Sequence, residues 1–271
     1  MKRTETINQV NLGIIGGSGF YEPGMLSDVY EKEVPTPYGA ITPLVGKLAN
    51  GLEAAFLARH GREHSILPHQ INYRANLWGL SALGVKRIIA TTAVGSLDES
   101  LAPGMLVIID QFLDFTKQRT LTFYDKGDVH KAHIDVTEPY CPDLRELLVK
   151  AALNCNIPVR PEGCYVCSEG PRYETKAEVR MYRMLGGTVA GMTGVPEVTL
   201  ARELGICYAN ISAVTNFGAG ISPTPLKHSE VVQIMAENQA KIRTLITECL
   251  LGALERFDCG CGGEGMKTIN K

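Results

Sequence analysis

The stretch GIIGGSGFYE, residues 13–22, places four glycines in seven positions directly behind a short apolar run at 10–15. A glycine-rich turn leaving such a strand lets backbone N–H groups approach an anion closely. The two candidates, a dinucleotide pyrophosphate and a single phosphate, ask for different surroundings. A dinucleotide fingerprint needs G-x-G-x-x-G and an acidic residue about 20 positions on, behind a second apolar strand. Here the order is G-x-x-G-G-S-G, and the acids that follow, Asp28, Glu31 and Glu33, sit in a polar, proline-flanked segment. The stretch therefore argues for a smaller phosphate.

Outward from this turn, apolar β-branched runs at 53–58, 87–92, 105–109, 163–167, 188–192 and 206–215 read as further strands. Helical periodicity covers 70–83, 142–155, 174–185 and 196–204, and a long amphipathic pattern runs from 228 to about 257. Such alternation predicts an α/β fold with a central mixed, largely parallel twisted sheet flanked by helices. No repeat or linker divides the chain. The expectation is one domain, with a core at about 10–257 and a Cys/Gly-rich tail at 258–271.

In open α/β sheets ligands collect at the carboxyl ends of strands. The segments that follow the strands here are chemically alike. Gly16-Gly17-Ser18-Gly19 offers amides and a hydroxyl, and RHGREH brings Arg59 and His60. TTAVGS supplies Thr92 and Ala93, Thr193-Gly194 follows the run at 188–192, and NFGAG ends the last strand. Each piece alone is an ordinary polar loop. Together, hydroxyls, amides and one guanidinium at one sheet edge suit a single phosphate. A noncatalytic phosphate or nucleotide sensor would share such a pocket, because a pocket alone does not prove turnover.

Composition excludes other classes. With 21% charged residues and a net charge of −2, the chain lacks the basic surplus that nucleic acid or an anionic membrane requires. The first dozen residues lack a signal-peptide core, and no apolar run approaches the ~20 residues of a membrane span. A cytoplasmic protein is expected. The eight cysteines are scattered rather than framed as in a small secreted scaffold. Cys164 and Cys167 have C-x-x-C spacing but lie in an expected strand, where residues three apart face opposite ways and cannot easily share a metal. The tail CGCGG, from Cys259 through Gly263, reads either as a strained disulfide or as a weak metal site, stabilising or incidental rather than catalytic.

Six motifs in order, GIIGGSGFYE, ARHGREHSILPHQINYRAN, TTAVGSL, SEGPRYETKAE, GMTGVPEV and AVTNFGAGISPTPLKHSEV, resemble the trimeric purine nucleoside phosphorylase and methylthioadenosine phosphorylase family over nearly the whole chain. The resemblance implies phosphorolysis of a purine nucleoside to free base and sugar 1-phosphate. It implies no metal or organic cofactor, inorganic phosphate being a co-substrate, and a homotrimer or paired trimers. Carried over by position, it places Ser18, Arg59, His60, Thr92, Ala93 and Thr193 around phosphate, with Met192 beneath the ribose. Glu174, Asn216, Phe217 and Gly218 would surround the base.

Branches of that family differ at the base. Relatives acting on 6-aminopurines carry serine where Glu174 stands and aspartate where Asn216 stands; the 6-oxopurine branch carries the pair seen here. Hydrogen-bond polarity explains the difference: hypoxanthine and guanine offer an N1–H donor and an O6 acceptor, and adenine reverses both. The alternative for Glu174 is the first-turn acid of a helix. His228 matches a histidine near a 5′-hydroxyl, with a role in catalysis, and His133 would reach a neighbour's 5′ pocket. The framework around HIDVTEPYCP looks more like the methylthioadenosine branch, which makes action on 5′-methylthioinosine or 5′-methylthioadenosine the second expectation.

Overall fold

The computed structural model describes residues 10–124, 133–222, 228–252 and 258–262, with side chains of the last helix described from Val231 onward. The strands in chain order are β1 (Leu12–Gly16), β2 (Ser27–Glu31), β3 (Leu44–Lys47), β4 (Glu53–Ala58), β5 (Arg87–Ser96) and β6 (Leu106–Ile108). They continue with β7 (Gln111–Phe115), β8 (Val159–Arg160), β9 (Cys164–Ser168), β10 (Val189–Gly191) and β11 (Cys207–Phe217). Five α-helices accompany them among the described residues: α1 (Tyr73–Ala82), α2 (Pro142–Asn154), α3 (Lys176–Met184), α4 (Gly194–Glu203) and α5 (His228–Gly252).

All the strands belong to one mixed sheet, ordered β2-β3-β4-β1-β5-β10-β9-β7, with β11, β6 and β8 branching from β5. The expected α/β architecture holds. Side chains alternate across it with the period of two that a pleated strand imposes. Leu12, Ile14, Phe56 and Ile89 pack toward α2 and α5, where Leu144, Leu148, Ile242 and Leu245 meet them. Ile15, Leu57, Ile88 and Ala90 face the other way, onto Leu77 and Leu80 of α1 and Val198 and Ala201 of α4. Both faces are covered, which is why the central strands read as near-continuous apolar runs.

Strand β5 decides where a ligand can sit. Its first half pairs in parallel with β1, ending at Ile15↔Ala90, and its last residues pair antiparallel with β10 at Gly95↔Ala190 and Ser96↔Val189. Between these ladders the β1/β10 edge of β5 has no partner strand, while β11 backs the other edge along its whole length. The sheet splits there.

Several boundaries differ from expectation. β5 runs to Ser96, beyond the expected end at 92, because β11 supplies a ladder that far. β2, β3, β7 and β8 went unread: β2 is exposed at every position and β7 is mostly half-buried, so neither shows apolar alternation. α1 starts at Tyr73, behind a 3-10 turn at Pro68–Gln70 and capped by the Asn72 side chain. Residues 253–257, expected to finish α5, lie outside the described residues.

Candidate active site

The split beside β5 opens into a cavity of about 450 Å³. The β1 turn enters from one side. Gly17 donates its N–H to Thr91 Oγ1 at 3.0 Å, and a Cβ there would stand 2.4 Å from the Thr91 carbonyl oxygen and 2.8 Å from Arg59 Nη1. Only glycine lets the turn lie this close to β5. Gly19 adopts φ +76°, where a side chain is strained, and it turns the chain so that Ser18 lines the cavity. No helix begins behind this turn; the chain goes on to β2, which removes the helix that a dinucleotide site uses.

Arg59, directly behind β4, is wholly buried and forked onto Glu197 of α4. Its Nε donates to Oε2 at 2.7 Å and its Nη2 to Oε1 at 2.6 Å, while Nη1 donates to the Thr91 carbonyl at 2.8 Å. That carbonyl belongs to the stretch of β5 with no strand on this edge, so the guanidinium satisfies what a strand would. Burial pulls the guanidinium's pKa down, but Glu197 outweighs burial and the net shift is upward. Three of five N–H groups are engaged, leaving two for a ligand. Tyr208 Oη completes the carboxylate, donating to Glu197 Oε1 at 2.6 Å.

His60 is buried, and its Nδ1 lies 2.8 Å from the Ile66 carbonyl oxygen. Burial first, then the Arg59 charge and the neighbouring His64, lower its pKa to about 4. The ring is neutral at pH 7, so Nδ1–H donates to Ile66 and Nε2 is left as an acceptor. Thr92 sits deeper, held by Asn210 Oδ1 at 3.1 Å and Ser212 Oγ at 2.8 Å. Ala93 continues the β5 wall. Thr193 and Met192 arrive from the end of β10, which runs antiparallel to β5 and so points back into the split; the Thr193 N–H donates to Tyr165 Oη at 3.2 Å. This end meets the others although its strand runs the opposite way.

Glu174 and Asn216 form the far end. Helix α3 starts two residues later than expected, with Thr175 as its N-cap and Glu178 completing a reciprocal capping box. Glu178 takes the capping role, and Glu174 lines the cavity instead. Its Oε1 accepts from Ser168 Oγ at 2.7 Å, leaving Oε2 for a ligand. Asn216 lies behind an irregularity in the β11–β5 register after Val214. Thr215 Oγ1 donates to Asn216 Oδ1 at 2.8 Å, and Nδ2 donates to the Phe217 carbonyl at 3.0 Å. Thr215 Oγ1 also lies 3.2 Å from the Val94 carbonyl oxygen, and the second N–H of Nδ2 remains for a ligand.

Three expected site residues stand apart, and a fourth has its side chain outside the described residues. Phe217 and Gly218 do not line the cavity: the Gly218 N–H is tied to the Ser96 carbonyl at 2.8 Å, which draws this end of β11 back along β5. His133 is exposed and outside the cavity of its own chain. His228 opens α5, and its side chain lies outside the described residues. Sequence reading missed Glu197, Ser168 and Thr215, which touch the expected residues and fix them. Glu197 carried a usable signal, an acid inside the otherwise apolar GVPEV, where a buried carboxylate demands a partner.

Residues 11–251 match the phosphorylase superfamily. A protein of Dictyoglomus turgidum named "Probable 6-oxopurine nucleoside phosphorylase" is 52% identical over 252 residues, covering 93% of this chain and 95% of its own. The 6-oxopurine nucleoside phosphorylase of Pyrococcus furiosus is 51% identical over 256 residues, covering 92% and 96%. Among solved structures, methylthioadenosine phosphorylase from Schistosoma mansoni in complex with adenine superposes with a TM-score of 0.85 at 35% identity, covering 91% of this chain and 93% of that one. Matched from the first strand to the end of the last helix, the chain belongs to the phosphorylase superfamily.

Proposed function

We propose that this protein is a purine nucleoside phosphorylase acting on 6-oxopurine nucleosides such as inosine and guanosine, releasing the base and ribose 1-phosphate. One observation carries the reading. The cavity presents a carboxylate, Glu174, together with an amide, Asn216, whose oxygen faces the Thr215 hydroxyl and whose nitrogen keeps one N–H. An acceptor for N1–H and a donor for O6 and N7 fit hypoxanthine and guanine and mismatch adenine. The relatives named for 6-oxopurine activity support it.

In this reading phosphate lies between Ser18, Arg59, Thr92, Ala93 and Thr193, with His60 Nε2 accepting from a protonated phosphate oxygen. A phosphate oxygen attacks C1′ as the C1′–N9 bond breaks, and the Asn216 N–H supports the electron density gathering at N7. Met192 forms the surface beneath the ribose. Catalysis is positioning and charge stabilisation, without metal or organic cofactor. A trimer belongs to the proposal, with His133 reaching a neighbouring pocket and His228 meeting the 5′-hydroxyl. Phe217 and Gly218 act by holding Asn216 rather than by touching the base.

A second reading, action on 5′-methylthio nucleosides, draws on Val231 of α5, an apolar residue lining the cavity. Phosphate-dependent base release from inosine, guanosine, adenosine, methylthioadenosine and methylthioinosine, measured in parallel, separates the two. Equal rates on adenosine and inosine would defeat the 6-oxopurine reading. Release from none would leave a binding protein.

A further inference from the structure

Four cysteines distant in sequence, Cys141, Cys207, Cys259 and Cys261, come together with all four Sγ atoms within 4.8 Å of one another. Cys141 stands at the N-cap of α2, and Cys207 opens β11. Cys259 precedes the 3-10 turn Gly260–Gly262 and Cys261 sits at its centre, on a segment that the Asp258 N–H also pins to Asp143 Oδ2 at 2.8 Å. Cys141 and Cys261 are buried and the other two half-buried, and all four are free thiols.

The spacing has a chemical meaning. Disulfide sulfurs lie about 2.05 Å apart, whereas Cys207 and Cys259 stand at 3.4 Å. A tetrahedral zinc thiolate holds each sulfur about 2.3 Å from the metal, and hence roughly 3.8 Å from the others. Here every Sγ lies within 4.8 Å of the other three, so the thiols form a mutual cluster rather than two separate pairs. Beside it lies Arg202, which acts electrostatically on Cys261 and whose buried Nε has no hydrogen-bond partner among the described residues. A guanidinium with a spare N–H suits the doubly negative charge of a zinc tetrathiolate.

We propose that Cys141, Cys207, Cys259 and Cys261 form a structural zinc site that ties the tail segment to the start of α2 and the start of β11. Binding converts four thiols to thiolates and releases four protons to solvent, with no change of oxidation state. Four protein ligands leave no open position for water or substrate, the pattern of a structural site. Cys207 precedes Asn216 by nine residues of one strand, about 30 Å at ~3.3 Å per residue, so the metal stands away from the cavity.

The test uses the full chain, untagged, expressed with added zinc and purified anaerobically with a non-thiol reductant and no chelator. Elemental analysis should find about one zinc per chain. A C259S/C261S variant should lose at least about tenfold of it, and C155S, outside the cluster, should lose none. Should the double variant fail to fold, cobalt exchange into the unaltered chain gives the same answer through thiolate-to-cobalt charge-transfer and tetrahedral d–d absorption. Stripping the metal should lower the Tm while leaving initial base release at 25 °C unchanged. A chain holding neither zinc nor cobalt overturns the proposal, whether its eight thiols all titrate or its intact mass shows four lost to two disulfides. Zinc retained in full by the double variant overturns it as well.

Discussion

Arg59 and Glu197 meet fork to fork beside the cavity, with N···O distances of 2.7 and 2.6 Å and both side chains fully buried. A buried ion pair is costly to break from one side, because the partner keeps its charge and loses its compensation. Glu197→Ala should therefore destabilise the chain by about 3–5 kcal/mol in denaturant titration. Arg59→Met with Glu197→Leu should recover much of that stability, since both charges leave together. The same double variant should still lose about 1.5–3 kcal/mol in kcat/KM for phosphate, the contribution of a charge-assisted contact, with the nucleoside KM moving less. Phosphate kinetics unchanged in that variant would remove Arg59 from the anion site.

At the base end, Asn216→Asp replaces the donor toward O6 and N7 with an acceptor and adds a second carboxylate near Glu174. Inosine turnover should fall by at least ~2 kcal/mol, the cost of an unsatisfied buried group. Adenosine should gain little until Glu174→Ser is added, so the two changes should be non-additive, as for residues sharing one ligand. Kinetics of both single variants and the double variant on inosine and adenosine decide this.

Ser168 holds Glu174 by a 2.7 Å hydrogen bond and is half-buried. Ser168→Ala should leave the carboxylate loosely oriented and cost about 1.5 kcal/mol in kcat/KM for inosine. The phosphate KM should not move. An equal rise in both constants would make Ser168 a general packing residue.

The neutral His60 gives a pH signature. Its folded pKa of about 4 lies below the ordinary 6.5, mainly through burial and then through Arg59. As pH falls below 6.5 the unfolded chain takes up this proton and the folded chain does not, so stability is lost between pH 6.5 and about 4. The loss attributable to His60 should approach about 3 kcal/mol at the acid end. Stability curves of the parent chain and of His60→Asn should diverge in that window and run parallel above it.

His228→Val should weaken inosine turnover and raise relative use of methylthioinosine, because an apolar wall suits a thioether better than a hydroxyl. An unchanged ratio of the two rates would favour the methylthio reading.

Legibility followed the physics of burial. Strand 53–58 was readable to the residue, because helices cover both faces of the sheet there and positions 54–57 form a continuous buried apolar run. β2 was invisible because an edge strand exposed at every position has no reason to alternate. Ser18 and Thr193, which line the cavity from turns behind β1 and β10, stood out from their place at strand ends, whereas Thr92 lies within β5. Residues that act by holding another, such as Glu197 on Arg59 and Ser168 on Glu174, depend on contacts 138 and six positions apart in sequence that no local pattern encodes. Asn216 was legible by type, but the orientation of its amide depends on the Thr215 hydroxyl and became readable only in three dimensions.

The unpaired edge of β5 makes the sheet two leaves on one spine. One leaf, β2-β3-β4-β1, brings Ser18 and Arg59; the other, β10-β9-β7, brings Met192, Thr193 and, through Ser168, Glu174. The span between attacking oxygen and departing base is thus set by how far β5 carries the leaves apart, and not by any single contact. Because a reacting pair must approach to about 3–3.5 Å, an ångström gained or lost along Thr91–Val94 would act like a change of gauge, slowing every nucleoside alike. With the base placed as proposed, against Glu174 and Asn216, such a change would leave the choice of base untouched.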